Sequence, residues 1–389
     1  MDLTQLLAFT MQNKASDLHL SSGSPPVIRV HGILKRVKGD ALSSDDIRTM
    51  LYSVMTEDQR AVYEKDMELD FAIALGEKAR FRVNGFTSRL GSCAVFRTIP
   101  TEVPTMAQLD LPPVMRRFAD LEKGIILVTG PTGSGKSTTL ASMINHINLH
   151  HPKHILTIED PVEFFHHSKK ALINHREVGT DTNSFSRALK SALREDPDVI
   201  LVGEMRDYET ISLALTAAET GHLVFATLHS SSAAKTIDRV IDVFPTGDKE
   251  MVRAMLASSL QGVVAQTLLR RADGTGRVGA FEILVGTNAV RNLIRENQIP
   301  QIYSMMQTGS RYGMVTMEDS VTSMLEAGII DKDEAREALL RVGGGDEDRD
   351  EDYADGALGG GKLGGDTPIT GSEGGSGKKS EGSAEGYSF

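Results

Sequence analysis

The sequence predicts a two-domain α/β protein whose larger domain is a mainly parallel sheet covered by helices. Three observations predict it. Strand-like and helix-like periods alternate from about residue 114 onward, and the run Val199-Ile200-Leu201-Val202 is apolar without a break. Gly130-Pro131-Thr132-Gly133-Ser134-Gly135-Lys136-Ser137-Thr138 then joins one such apolar strand to a helix. Parallel strands are covered on both faces, so they read as continuous apolar runs rather than as alternating ones. A chain of 389 residues, 40% of them hydrophobic, is long enough for two cores, at about 100–200 residues per domain.

Residues 1–97 are expected to form a mixed α/β unit. It opens with a helix, followed by extended pieces at Asp17–Leu20 and Val27–Val37, a helix over Asp45–Lys65, and strands at Leu69–Leu75 and Ala79–Phe96. Phe71, Ile73 and Leu75 recur every second residue, as do Phe81, Val83 and Gly85, the period of half-buried strands. That pattern turns Arg80 and Arg82 away from the core. Residues 98–113 contain Pro100, Pro104, Pro112 and Pro113, which interrupt regular structure and make this stretch a linker. Residues 114–342 carry the alternation: strand Ile125–Thr129, helix Lys136–His150, then His154–Glu159, Ser184–Glu195, Val199–Val202, Tyr208–Thr220 and Leu223–Thr227. From about Val285 to Val342 the pattern is helical. Residues 343–389 hold fifteen glycines and eleven acidic residues against four basic ones, too little apolar surface to fold, and are expected to be a disordered tail.

Charge and composition narrow the function classes. The net charge is −11, of which −7 belongs to residues 343–389, so the body is nearly balanced. With no tryptophan for stacking and no basic excess, a nucleic-acid partner is not expected. Cys93 is the only cysteine, and Asp2, Lys14 and Asp17 interrupt the start, which does not resemble a secretory leader; a reducing cytoplasm is expected. No run approaches the roughly 18 apolar residues of a membrane-spanning helix. Membrane association would go through a partner, with no direct insertion.

Gly130-x4-Gly135-Lys136-Ser137 has the full P-loop spacing between an apolar strand and a helix. Glycines let backbone N–H groups turn onto phosphate oxygens, Lys136 meets the β- and γ-phosphates, and Ser137 ligates Mg²⁺. ATP and Mg²⁺ are thus the expected ligands. Glu204 follows Val199–Val202 across Gly203, where a carboxylate reaches a metal-bound water at the carboxyl end of a parallel sheet. Glu159, Asp160 and Glu163 end the preceding strand; one is a candidate general base, and spacing alone does not say which. His222 and His229 bracket Leu223–Thr227, with His229 at the end beside the phosphates. Their spacing does not suit a metal site. Arg194 and Arg206 are equally readable as anion contacts or as helix-end partners.

As a set, these motifs resemble the secretion and pilus ATPases of the GspE-like superfamily, most closely the PilT-type retraction ATPases of bacterial type IV pili. The resemblance covers residues 1 to about 342. It rests on Ala15-Ser16-Asp17-Leu18-His19-Leu20, Ala79-Arg80-Phe81-Arg82-Val83-Asn84 and the P-loop. It continues in Thr157-Ile158-Glu159-Asp160-Pro161-Val162-Glu163-Phe164 (the Asp box), Gly203-Glu204-Met205-Arg206-Asp207 (Walker B) and Thr220 to His229 (the His box). It implies a PAS-like N-terminal domain linked to a RecA-like ATPase domain, a homohexameric ring, and a pilus platform protein at the inner membrane as partner. It implies Glu163 as the base, Glu204 as the Mg²⁺ residue, and His222 and His229 as γ-phosphate sensors. Arg239 and Arg80, Arg82 or Arg97 resemble the family's nucleotide-contacting arginines. Ala289-Val290-Arg291-Asn292-Leu293-Ile294-Arg295-Glu296 resembles the helix tied to retraction, and the absence of a cysteine-rich zinc insert points the same way. The alternatives are an assembly or type II secretion motor of the same superfamily, an accessory retraction ATPase, a RecA-like nucleic-acid motor and a nucleotide-binding regulator without turnover. The tail has no counterpart in the resemblance.

Overall fold

The computed structural model describes residues 2–30, 32–76, 79–99 and 102–342. Pro100 of the expected linker and the expected tail, 343–389, lie outside the described residues.

The first sheet is wholly antiparallel. The chain enters through α1 (Leu3–Gln12), closed by a reciprocal capping box between Asp2 and Gln5. It continues through β1 (Asp17–Ser21), β2 (Val27–Val30), β3 (Ile33–Arg36), α2 (Ser44–Tyr52), α3 (Glu57–Asp66), β4 (Glu68–Leu75), β5 (Ala79–Ser88) and β6 (Gly91–Ile99), in sheet order β3-β2-β1-β6-β5-β4. The single helix expected over Asp45–Lys65 is therefore two. The first ends at Tyr52 with Ser53 as its C-cap, and Thr56 starts the second: its hydroxyl accepts the Gln59 N–H while the Gln59 side chain accepts the Thr56 N–H at 3.0 Å. The extended pieces Val27–Val37 and Ala79–Phe96 are each a hairpin, and Gly91 at φ +120° turns the second where a Cβ would meet Ser44 Oγ at 2.3 Å. Phe81 and Val83 are fully buried, with Arg80 and Arg82 on the opposite face as the period required.

The second sheet has seven strands. After α4 (Pro113–Ala119) come β7 (Gly124–Thr129), α5 (Lys136–His150), β8 (His154–Glu159), β9 (Leu172–Glu177), α6 (Phe185–Ala192), β10 (Val199–Val202), α7 (Tyr208–Glu219), β11 (Leu223–Leu228), α8 (Ala233–Asp242), α9 (Lys249–Ser259), β12 (Leu260–Arg270) and β13 (Arg277–Val285). Helices α10 (Asn288–Arg295), α11 (Ile302–Gln307), α12 (Met317–Glu326) and α13 (Lys332–Val342) follow. The order is β13-β12-β7-β11-β10-β8-β9, parallel throughout except at the β12–β13 pair. Ile125 and Leu127 enter the core beneath α6 to α9, whereas Ile126 and Val128 enter the one beneath α4 and α5. Burial on both faces is why β7 is apolar from Ile125 to Val128.

Within α10, Arg291 turns back into the protein. Its Nε donates to the Gly286 carbonyl at 2.8 Å and its Nη1 to the Ser258 carbonyl at 2.6 Å, at the end of α9. Asn292, Arg295 and Glu296 face solvent. Among the described residues, no helix is long and apolar enough to cross a membrane.

Candidate nucleotide site

Strand β7 delivers the loop and α5 receives it. Gly130, Gly133 and Gly135 have φ of +143°, +80° and +89°. At Gly130 a Cβ would also stand 2.3 Å from the Gln266 carbonyl oxygen, so glycine is required there on two counts. Lys136 is only 8% exposed, and its Nζ donates to the loop's own carbonyls, Gly130 at 2.8 Å and Pro131 at 3.0 Å. Burial pushes the Lys136 ammonium below its usual pKa, and the carboxylates of Glu204 and Glu163 pull against that shift. Both acids therefore act on the same buried cation.

Parallel register explains the convergence. Thr129 pairs with Leu228, Ala226 with Val202 and Val202 with Ile158, so the loops after β7, β11, β10 and β8 leave one edge of the sheet. Gly203 is pinned there by its N–H to the Ile158 carbonyl at 2.7 Å and by the Thr227 hydroxyl, which donates to the Gly203 carbonyl. Glu204 Oε1 lies 3.0 Å from His229 Nε2 and is ion-paired to Arg206. The hydrogen bond to Glu204 raises the Arg206 pKa. Glu159 is engaged locally: its Oε2 accepts the Glu163 N–H at 3.4 Å and its Oε1 lies 3.9 Å from His175 Nδ1. Glu163 is exposed, and no side chain among the described residues engages its carboxylate.

The other expected residues are dispersed. His222 precedes the amino end of β11, bonded through Nδ1 to the Ala217 carbonyl at 3.0 Å. His229 lies seven positions further on, about 23 Å along an extended strand, so the two histidines cannot sense one phosphate within one chain. Arg239 lies in the last turn of α8, in an open cleft with Lys235, Asp238 and Asp242. Arg97 is bonded to Asp17 at 2.9 Å, and Arg82 stands 3.7 Å from Asp70, both within the first sheet. Arg80 alone of these three crosses to the second domain, its guanidinium 3.8 Å from the Phe165 ring centre, two residues beyond Glu163.

Several supporting groups carry no local signature. Gln266 on β12 donates Nε2 to the Ser134 carbonyl at 2.6 Å inside the loop, and its Oε1 and Ser134 Oγ are buried without a partner. Thr129 and Ser230 exchange hydrogen bonds at 2.9 Å, and Ser230 passes the link to Thr236 at 2.8 Å. Buried Glu282 on β13 accepts the Ala233 N–H at 2.7 Å, fixing the start of α8. The orphaned Ser134 hydroxyl, an ammonium turned onto its own loop and the open space over Gly133 fit a phosphate group. The Ser137 hydroxyl and the Glu204 carboxylate are oxygen donors of the kind a hard divalent cation takes.

A family model described as "Type II/IV secretion system protein" matches residues 1–336. The chain belongs to the type II/IV secretion system protein family. Among relatives in this family, the "Type IV pilus retractation ATPase PilT" of Pseudomonas aeruginosa is 56% identical over 337 residues, covering 87% of this chain and 98% of that protein. The "Twitching motility protein" of Neisseria gonorrhoeae is 57% identical over 311 residues, 80% of this chain and 83% of that protein. A crystal structure of the pilus retraction motor PilT with bound ADP aligns with a TM-score of 0.82 at 45% identity, over 87% of this chain and 97% of that one. The seven-stranded domain of this type II/IV secretion system protein is thus a RecA-like P-loop core.

Proposed function

We propose that this chain is an Mg²⁺-dependent ATPase that drives type IV pilus retraction as a ring of six, docked on a platform protein at the cytoplasmic face of the inner membrane. One observation carries the proposal: Lys136, Glu204, His229 and Glu163 converge on one sheet edge, in a chain that spans nearly the whole of a retraction ATPase. Residues 1–97 are the PAS-like half, 98–113 the linker, and 114–342 the ATPase domain with its C-terminal helices.

The chemistry follows from the residues. Lys136 exchanges the carbonyls of Gly130 and Pro131 for phosphate oxygens, and the loop N–H groups hold the remaining charge. Ser137 and Glu204 would hold Mg²⁺, which when bound would neutralise charge developing on the phosphates. Glu163, whose carboxylate is free, takes the proton of the attacking water. His229 orients Glu204 through the 3.0 Å contact. Arg80, reaching over Phe165, couples the N-terminal domain to the strand end that carries Glu163.

The turnover is tested by phosphate release from the native chain beside Lys136→Ala and Glu204→Ala. Release by the native protein, lowered at least about 100-fold in both variants, is expected, by analogy with the loss of one preorganised charge-stabilising group. No release by the native chain sinks the enzymatic proposal. Direction is tested in cells: a deletion strain should keep surface pili and lose their withdrawal, and a strain making no pili would favour an assembly motor instead.

A further inference from the structure

The far end of α5 holds a histidine cluster that the nucleotide chemistry does not use. His146 and His150 lie one turn apart near its end, and His151 follows at once. His146 and His151 face Asp120, the C-cap of α4. His146 Nε2 is 2.8 Å and His151 Nε2 2.9 Å from the same oxygen, Asp120 Oδ1, and the three possible ligand atoms all lie within 4.8 Å of one another. The His146 side chain is 11% exposed, His151 31% and Asp120 40%, so the cluster has one buried wall and one face open to solvent. His150 stacks on His146 with ring centres 4.4 Å apart, and its Nδ1 bonds the His146 carbonyl at 2.8 Å, fixing that ring. Burial alone would raise the Asp120 carboxyl; hydrogen bonds from the two histidines outweigh it and hold it below its usual value.

We propose that Asp120, His146 and His151 bind a divalent transition-metal ion of the zinc class, which clamps the far end of the P-loop helix to the end of α4. Two imidazole nitrogens and one carboxylate oxygen form a borderline donor set that suits zinc, and an ion with three protein ligands takes water in its fourth position. Each imidazole carries its proton on Nδ1 when Nε2 offers its lone pair to the ion. The Asp120 oxygen already lies between the two nitrogens, so small side-chain rotations bring all three donors to one centre. Lys153 reinforces the same junction from the other side, with its Nζ on the Leu121 carbonyl at 3.1 Å and near Glu122 at 3.3 Å. The site is about 20 Å along α5 from Lys136, so the ion is distinct from the Mg²⁺ proposed at the phosphates.

The test titrates the full, tag-free chain with zinc chloride alone, without nucleotide or Mg²⁺, by calorimetry, and records the visible spectrum with Co²⁺ in place of Zn²⁺. One tight equivalent per chain, a tetrahedral Co²⁺ spectrum and a zinc-dependent rise in thermal midpoint are expected in the native protein. His151→Gln and Asp120→Asn should each weaken binding at least tenfold and abolish the rise. If Asp120→Asn fails to fold, His151→Gln decides, because His151 lies past the helix end and outside the apolar cores. No zinc binding by the native chain overturns the proposal, as does binding of equal affinity in the variants, which would put the ion on another histidine cluster.

Discussion

Lys136 is a cation with almost no water around it, and at 8% exposure it depends on the two carboxylates that face it. His229 and His222 separate cleanly at this scale. His229→Ala should lower phosphate release at least tenfold because it frees Glu204, whereas His222→Ala should change single-site nucleotide affinity by less than twofold; equal effects on both measurements would contradict the placement. Gly130→Ala should abolish nucleotide binding, since its methyl group would meet the Gln266 carbonyl; filter binding of labelled ATP checks it. His166 adds a pH dependence. Burial pushes it down to about 4, with His175 adding to the shift, and its Nδ1 has no partner. The folded state thus binds fewer protons than the unfolded one between pH 6.5 and about 4. Stability is present in full above pH 6.5 and is lost as the pH falls toward 4, by on the order of 3 kcal/mol. Denaturant titrations at pH 7.5 and 5 should show about 2 kcal/mol of that loss in the native chain and less in His166→Phe. The P-loop, Glu204 and His229 were legible because each sits next to its own strand. Gln266 and Glu282 were not, because Gln266 meets Ser134 across 132 residues of chain and nothing local marks the pairing.

Among the elements, the long apolar runs were the legible ones. β7, β10 and β11 are buried at every position and apolar at all but Thr129 and Thr227, a pattern that needs cover on both faces and so identifies a parallel sheet. β9 was missed because Leu172-Ile-Asn-His-Arg-Glu177 is a polar edge strand, and the β12–β13 hairpin because its partner β7 lies far back in the sequence. The restart after Ser53 is marked in the sequence by Thr56-Glu57-Asp58-Gln59, a capping box inside the stretch expected to be one helix. Glu282 shows what the missed hairpin contributes. Glu282→Ala leaves the Ala233 N–H buried without its acceptor and should cost about 1–3 kcal/mol. Urea denaturation measures it, and Glu282→Gln, which keeps an acceptor, should recover most of the loss.

For the whole molecule, the two sheets are coupled at the acidic strand end through Arg80 over Phe165. Arg80→Ala should leave ATP affinity within about twofold, because the guanidinium touches no P-loop residue, yet lower turnover several-fold; parallel binding and phosphate-release measurements distinguish the two. Unchanged turnover would confine Arg80 to surface packing, where a cation over an aromatic ring is worth about 0.5–1 kcal/mol.

Helix α10 sorts its own failures into two kinds. Arg291 is bonded inward to the ends of α9 and β13, so its loss shifts the helix itself and should appear in purified protein as lowered stability. Arg295 and Glu296 face outward, and their loss should leave the isolated chain folded and hydrolysing while whatever meets that surface loses its grip. Two neighbouring arginines can therefore give cells the same immobile phenotype for opposite reasons, one a defect of architecture and the other of transmission.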